Sequence, residues 1–278
     1  MTSKENSGSV YALAVLNNGD LISGSDDNTL KIWNMSDMTV KQTLNGHAGW
    51  LRDIIVLENN KIINATDDFV INIWDLNDGT LEKTLAGHSN IIRALVLLHN
   101  RNLASASADQ TIKIWNIQDG TLKRTLTGHS GTIWALVELN NGDLASGSYD
   151  KTIIIWDVES GLINRTLKGH TKCIDRLALL QSGDLVSSSD DKTINIWNIE
   201  DGTVKRTLTG HKGYVLALKV LDSGDLVSGS QDGTVKIWNV ETGKVKKEIQ
   251  INSKINSLEV INNGDLVSAS DDSIIIWE

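Results

Sequence analysis

The sequence predicts an all-β chain in which one antiparallel unit is copied along the whole length, and three observations carry that expectation. Gly-His pairs end at His47, His88, His129, His170 and His211, a step of 41 residues each time. Tryptophans stand at Trp33, Trp74, Trp115, Trp156, Trp197 and Trp238, again 41 apart, and a seventh, Trp277, comes two residues early. Between these markers lie short apolar runs of period two, which is the alternation of a strand with one face buried and one face wet. Residues 128–157, GHSGTIWALVELNNGDLASGSYDKTIIIWD, show the unit most fully.

Taken in order, residues 1–8 are polar and read as a disordered start, and residues 9–278 read as one domain. In the first unit, residues 10–16, 20–25, 29–34 and 40–44 each suit a short strand. The turn between the first two strands is Asn17-Asn18-Gly19-Asp20, with close variants at 140–143, 222–225 and 262–265. Asn-Gly and Ser-Gly tolerate the positive φ that tight hairpins require. Asp-Gly-Thr joins the third strand to the fourth at Asp78-Gly79-Thr80, Asp119-Gly120-Thr121 and Asp201-Gly202-Thr203, so these glycines are turn residues and not phosphate loops. The units are nearly identical in places: DGTLKRTLTGH, ending at His129, returns as DGTVKRTLTGH, ending at His211. A specific surface must therefore be written in the positions that differ between units.

Composition narrows the function classes. With 278 residues and 40% apolar content the chain is long enough to bury a sizeable core as one domain. A formal net charge of −9 argues against a general nucleic-acid or anionic-membrane binder, because both need a dense basic face. The single cysteine, Cys173, excludes an internal disulfide, and the first nine residues, MTSKENSGS, lack the apolar stretch of a signal peptide. A cytoplasmic protein is expected, with the nucleus as the alternative.

A period near forty that opens with Gly-His and closes with Trp-Asp resembles the WD-repeat β-propellers. The resemblance runs from Val10 to the end of the chain and implies a seven-bladed ring, four antiparallel strands per blade, around a central channel. It also implies a hydrogen-bonded tetrad in each blade. These are His88, Ser105, Asp109 and Trp115 in blade three, and His129, Ser146, Asp150 and Trp156 in blade four. Blade five has His170, Ser187, Asp191 and Trp197, and blade six His211, Ser228, Asp232 and Trp238. Ser107, Ser148, Ser189 and Ser230, two residues on, compete for the serine role. Blade two keeps His47, Asp68 and Trp74 but has Asn64 in the serine place, with Thr66 nearby. Blades one and seven carry Asn6 and Asn252 in the histidine place. A Ser-His-Asp set invites a hydrolase reading, yet a triad needs one exposed, singular nucleophile, and this set is stamped into several blades. No enzyme is expected. His99 is the only histidine outside the repeats; with no ligand type at metal-binding spacing, neither a metal nor a cofactor is expected.

Nine tryptophans, three tyrosines and one phenylalanine are present, and seven tryptophans belong to the repeat. The resemblance places the other six aromatics at the narrow top of the ring: Tyr11, Trp50, Trp134, Tyr149 and Tyr214 around the channel mouth, and Phe69 in a turn on the same side. Aromatic side chains of this kind are frequent binding anchors. Asp26, Asp67, Asp175, Asp190 and Asp271 share that face, as do Arg52 and Arg93. An aromatic and acidic mouth suits a partner protein or peptide carrying Lys or Arg. The two arginines leave open a carboxylate or phosphate ligand, or neutralisation of each by a neighbouring aspartate. The leading expectation is a protein-interaction module binding at this face, and the alternative is a mainly structural propeller within a larger signalling receptor or repeat array.

Ring closure is the last expectation. The chain reaches Trp277-Glu278 directly after the third strand of blade seven, and register leaves only residues 1–3 to stand beside it. A three-stranded last blade follows, with residues 255–261 as its first strand and Ile274-Ile275-Ile276 as an exposed edge open to self-association.

Overall fold

The computed structural model describes residues 2–3, 8–46, 49–251, 253–271 and 273–277. Twenty-eight strands form seven antiparallel sheets. In six of them four consecutive strands run outward from the axis in chain order, as in Ile133–Glu138, Leu144–Ser148, Thr152–Trp156 and Ile163–Lys168. First strands of successive blades pack on one another around the axis, so the chain is a seven-bladed β-propeller. No helix occurs among the described residues.

Each blade hides its apolar residues against the next blade. Seven buried clusters result, one per interface: Ile133, Leu136 and Trp156 of blade four pack with Ala104, Ile112 and Leu126 of blade three, and the pattern repeats around the ring. The seventh cluster joins the two ends of the chain through Val10, Leu21 and Trp33 against Ile261, Val267 and Ile274. Burying one such side chain contributes about 1.5–3 kcal/mol. Sheets approach closely enough that a Cβ added at Gly147 would stand 2.6 Å from Ile174 Cγ2 of the next blade, which explains a glycine inside a strand.

The last blade takes three consecutive strands, Ser257–Val260, Leu266–Ala269 and Ile274–Trp277. Its outer edge is nevertheless not bare. A two-residue strand, Thr2–Ser3, lies antiparallel to it with Thr2 opposite Ile275 and Ser3 opposite Ile274, which is the little that the register allows. Ile274 is buried and Ile275 half-buried, so the expected bare edge is corrected over these two residues. Thr2 and Ser3 likewise depart from a disordered start, while residues 4–7 lie outside the described residues. The seam gains polar links from Val10 N–H to the Ser270 carbonyl at 3.2 Å and from Asn256 Nδ2 to the Val10 carbonyl at 3.2 Å.

A chain of hydrogen bonds stitches each of blades three to six. In blade four Trp156 Nε1 donates to Ser146 Oγ at 2.8 Å, Ser146 Oγ meets His129 Nε2 at 2.7 Å, and His129 Nδ1 meets Asp150 Oδ2 at 2.8 Å. The neutral tautomer with its proton on Nδ1 satisfies all three links at once. Blades three, five and six repeat the chain through the expected residues. Asp150 also accepts from Thr152 Oγ1 at 2.6 Å and from the Ser130 amide at 2.9 Å, so one carboxylate ties a turn to the loop entering the blade. The competing serines act elsewhere: Ser148 Oγ accepts from the Asp150 amide and donates to the Gly131 carbonyl.

Departures follow the sequence. Blades one and seven keep the tryptophan-to-serine link, from Trp33 to Ser23 and from Trp277 to Ser268, at 2.8 and 2.9 Å. In blade two Thr66 donates to Asp68, while Asn64 is buried at the serine place with no side-chain partner among the described residues. His47, Asn6 and Asn252 lie outside the described residues. Burial alone would raise the Asp109, Asp150, Asp191 and Asp232 carboxyls, but hydrogen bonds from the histidines, threonines and loop amides outweigh it and hold all four well below the ordinary carboxylate range.

Four outcomes follow. His129→Ala or Asp150→Ala strands buried partners and should lower stability by about 1–3 kcal/mol in denaturant unfolding. His99, whose ring meets Glu138 of the next blade at 2.8 Å but is 78% exposed, should cost under about 0.5 kcal/mol as alanine. Because the four carboxyls titrate lower folded than unfolded, their contribution is complete above about pH 4 and drains away as pH falls further. Thermal melts should accordingly show Tm dropping steeply below about pH 4, with a shallower dependence in His129→Ala. Removing residues 1–7 should raise hydrogen exchange across Ile274–Trp277 by about tenfold or more and spare Thr152–Trp156; unchanged exchange would show that Thr2–Ser3 does not cover the edge.

Candidate functional site

Antiparallel order sends the blade-to-blade loops and the turns between second and third strands out of one end of the ring. The two meet there, for example where the Asp67 amide donates to the Trp50 carbonyl at 3.1 Å. Trp50, Phe69, Tyr149 and Tyr214, which are 44, 38, 64 and 37% exposed, stand on these segments. Tyr11 and Trp134 sit half-buried on first strands at the channel. All six aromatics outside the repeat thus gather at this end.

What aims the channel residues is a β-bulge. In blades one to six the register of the first strand against the second skips one residue, and the skipped residues are Tyr11, Arg52, Arg93, Trp134, Asp175 and Leu216. An unpaired bulge residue leaves the regular alternation of the strand and can be re-aimed. Here each lines a cavity of about 210 Å³ at the channel mouth, together with Arg176, Lys254 and Asn256. Below it the channel continues as a cavity of about 130 Å³ past the next residue of the strand in blades one to five. That next residue is alanine at 12, 94, 135 and 217 but Asp53 and Arg176 in blades two and five. Sequence reasoning missed both, although this break in an alanine column was there to be read; it also missed Lys254 and Asn256.

The mouth is less acidic than its composition suggests. Arg52 forms a two-pronged pair with Asp67, Nε to Oδ1 at 2.6 Å and Nη2 to Oδ2 at 2.7 Å. Its guanidinium lies 4.7 Å from the Tyr11 ring centre and 4.9 Å from that of Trp50, two rings stacked at 6.3 Å and 12°. Of the two arginines singled out, Arg52 is therefore the neutralised one. Asp271 accepts from Ser9 and Asn256 and pairs with Lys254 at 3.1 Å. Burial, and then the neighbouring Asp190, raise the Asp175 carboxyl; burial also raises that of Asp190, while the Cys173 thiol beside them is pushed up by burial. Donor atoms of these three lie within 4.8 Å of one another, and burial disfavours the charged form of each. Deeper in, burial raises the Asp53 carboxyl to about 6 against donation from the Leu95 and Ile54 amides and the pull of Arg176.

Arg93 is arranged differently. Its guanidinium lies 4.3 Å from the Trp134 ring centre and pairs with no carboxylate among the described residues. Burial, and then repulsion from Arg52 offset by Asp67, lower it to about 10, so it stays charged at neutral pH. Among the described residues Arg176 donates only to the Asp175 carbonyl, at 2.9 Å.

Two other features carry no specific site. The tetrads have the distances of a Ser-His-Asp triad, but Ser105, Ser146, Ser187 and Ser228 are fully buried and take the tryptophan proton, so no substrate reaches them. A cavity of about 430 Å³ opens at the opposite end between blades two and three beside Lys61, Glu82 and Arg101. The same notch recurs at equivalent positions between blades five and six, beside Asp184, Lys205 and Gly224, so it belongs to the repeat.

A family profile described as WD domain, G-beta repeat matches residues 1–34, 79–116, 120–157, 161–198 and 202–239. More than half of the chain is covered, and the blades left out are two and seven, both of which depart from the full tetrad. A comparison with curated proteins returns no match. The family is in general one of interaction scaffolds and not of enzymes. Repeat period, seven closed sheets and the tetrads agree with the profile, and the chain belongs to the WD-repeat β-propeller family.

Proposed function

We propose that this protein is a non-enzymatic interaction module that holds a partner peptide or protein at the top face around the channel mouth, in the cytoplasm or nucleus. The observation that carries this reading is the gathering of six aromatic side chains at one end of the ring, beside charged residues at its channel mouth. Tyr and Trp combine large contact area with few rotors, which keeps the entropy of ordering small. The contact surface comprises Tyr11, Trp50, Arg52, Arg93, Trp134, Tyr149, Asp175 and Tyr214. Arg52 acts through its ring clamp, which holds Tyr11 and Trp50 parallel, and Asp175 through the shape of the wall. A purely structural propeller within a larger array would leave Tyr149, 64% exposed beside the tetrad aspartate, without a use.

Trp50→Ala, Trp134→Ala and Tyr214→Ala should each weaken the partner by about 1–4 kcal/mol in calorimetric titration, with melting temperatures near that of the parent. Leu122→Ala and Leu162→Ala, exposed at the far rim, should leave affinity unchanged. Equal losses from the rim changes would overturn the top-face assignment.

A further inference from the structure

Every described arginine except Arg93 has a hydrogen-bond acceptor or a paired carboxylate within the protein. Arg52 has Asp67, and Arg101 lies 3.9 Å from Glu58. Arg124, Arg165 and Arg206 donate to carbonyls of the following blade, and Arg176 to that of Asp175. Arg93 is half-buried, and its Nε is shut from solvent with no partner among the described residues. A shielded N–H that donates to nothing is costly, since it has given up water for no replacement.

Blade two shows what is missing. Arg52 and Arg93 occupy the same bulge position of consecutive blades, and each stacks on an aromatic of its surroundings. Stacking uses the face of a guanidinium and leaves its N–H edge to find an acceptor. For Arg52 that acceptor is Asp67, the residue just after the second strand. The equivalent residue in blade three is Ala108. Its backbone is held in the same way, the Ala108 amide donating to the Ile91 carbonyl at 2.8 Å as Asp67 does to Trp50 at 3.1 Å. Only the carboxylate is absent. The mouth cavity, about 210 Å³, lies beside Arg93 with Arg176 and Lys254 on its wall.

We infer that the channel mouth receives an oxyanion, a carboxylate or phosphate borne by the partner segment, which takes on Arg93 the place that Asp67 takes on Arg52. This rests on the top-face reading above and gives it a sign of charge. Trp134 backs the guanidinium as Tyr11 and Trp50 back Arg52, and Arg176 adds a second positive group across the mouth. A carboxylate or phosphate is planar or compact enough for the cavity, whereas a peptide backbone must stay above it on the exposed aromatics. A lysine-bearing segment would instead meet Arg93 and Arg176, with Asp67 and Asp271 already engaged.

The test is fluorescence anisotropy with labelled hexaglutamate, a phosphoserine hexapeptide and hexalysine, read against Ala108→Asp, Ala108→Asn and Arg93→Gln. The net charge of −9 favours hexalysine non-specifically, so preference for the acidic peptides opposes the overall field. Expected are binding of hexaglutamate or the phosphopeptide, at least about tenfold weaker binding in Arg93→Gln and Ala108→Asp, and little change in Ala108→Asn. Ala108→Asp supplies the missing carboxylate from within, so it should block the site with stability kept or raised, which separates loss of binding from loss of fold. Competition by inorganic phosphate distinguishes a phosphate preference from a carboxylate one. Preference for hexalysine, or acidic-peptide affinity indifferent to Ala108→Asp, would overturn the inference. If the native partner still loses affinity in Trp50→Ala and Tyr214→Ala, the top-face reading survives that failure; if it ignores both, that reading falls as well.

Discussion

No blade of this protein can bury both of its faces alone. A four-stranded sheet with apolar side chains on each side needs a neighbour on each side, and the seven clusters, each shared between two blades, show that every sheet obtains one. Such a chain is complete only as a closed ring. The ends must then meet, which gives the contact of Val10 and Trp33 with Val267 and Ile274 a weight that its modest size would not suggest. The two-residue strand Thr2–Ser3 is the small remnant of a closing strand, placed where blade seven would otherwise present an open edge.

Packing between blades sets the ring, but polar chains set each blade internally. The tryptophan, serine, histidine and aspartate of blades three to six form a continuous run from the buried third strand to the loop at the top. Because the aspartate ends that run at the entry loop, the framework also immobilises the segments that carry Tyr149 and Tyr214. Rigid support of this kind lets a loop residue act as an anchor with little ordering cost. Framework and candidate surface are thus parts of one device, in which histidine chemistry is spent on holding shape.

At the mouth, repetition itself makes the differences informative. One bulge position, repeated at the same register, carries Tyr, Arg, Arg, Trp, Asp and Leu in blades one to six. A self-contained arginine with its own aspartate stands next to an arginine with alanine in that place, on the same backbone. Few proteins provide their own control so directly. The comparison turns an unpaired guanidinium from a local oddity into a statement about the missing chemical group.

The sequence by itself determined the repeat and the run of short strands within each copy, because period-two patterning and fixed spacing are local properties that every copy restates, while the seven-bladed ring and the tetrad roles came from its resemblance to the WD-repeat propellers. It also showed which aromatics were surplus to the repeat. The choice between the paired serines needed the structure, since two residues on one strand face share a side and only distance separates their roles. So did the bulge, which is a matter of cross-strand register invisible within one strand, and the state of the mouth charges. Arg52 and Arg93 look alike in sequence. Only tertiary structure revealed that one is matched by Asp67, 15 residues on, and that the other has no carboxylate partner among the described residues, with Ala108 in the equivalent place. Closure was decided in the same way: two residues at one end of the chain and a strand at the other, with Thr2 opposite Ile275, are brought together by the ring and by nothing local.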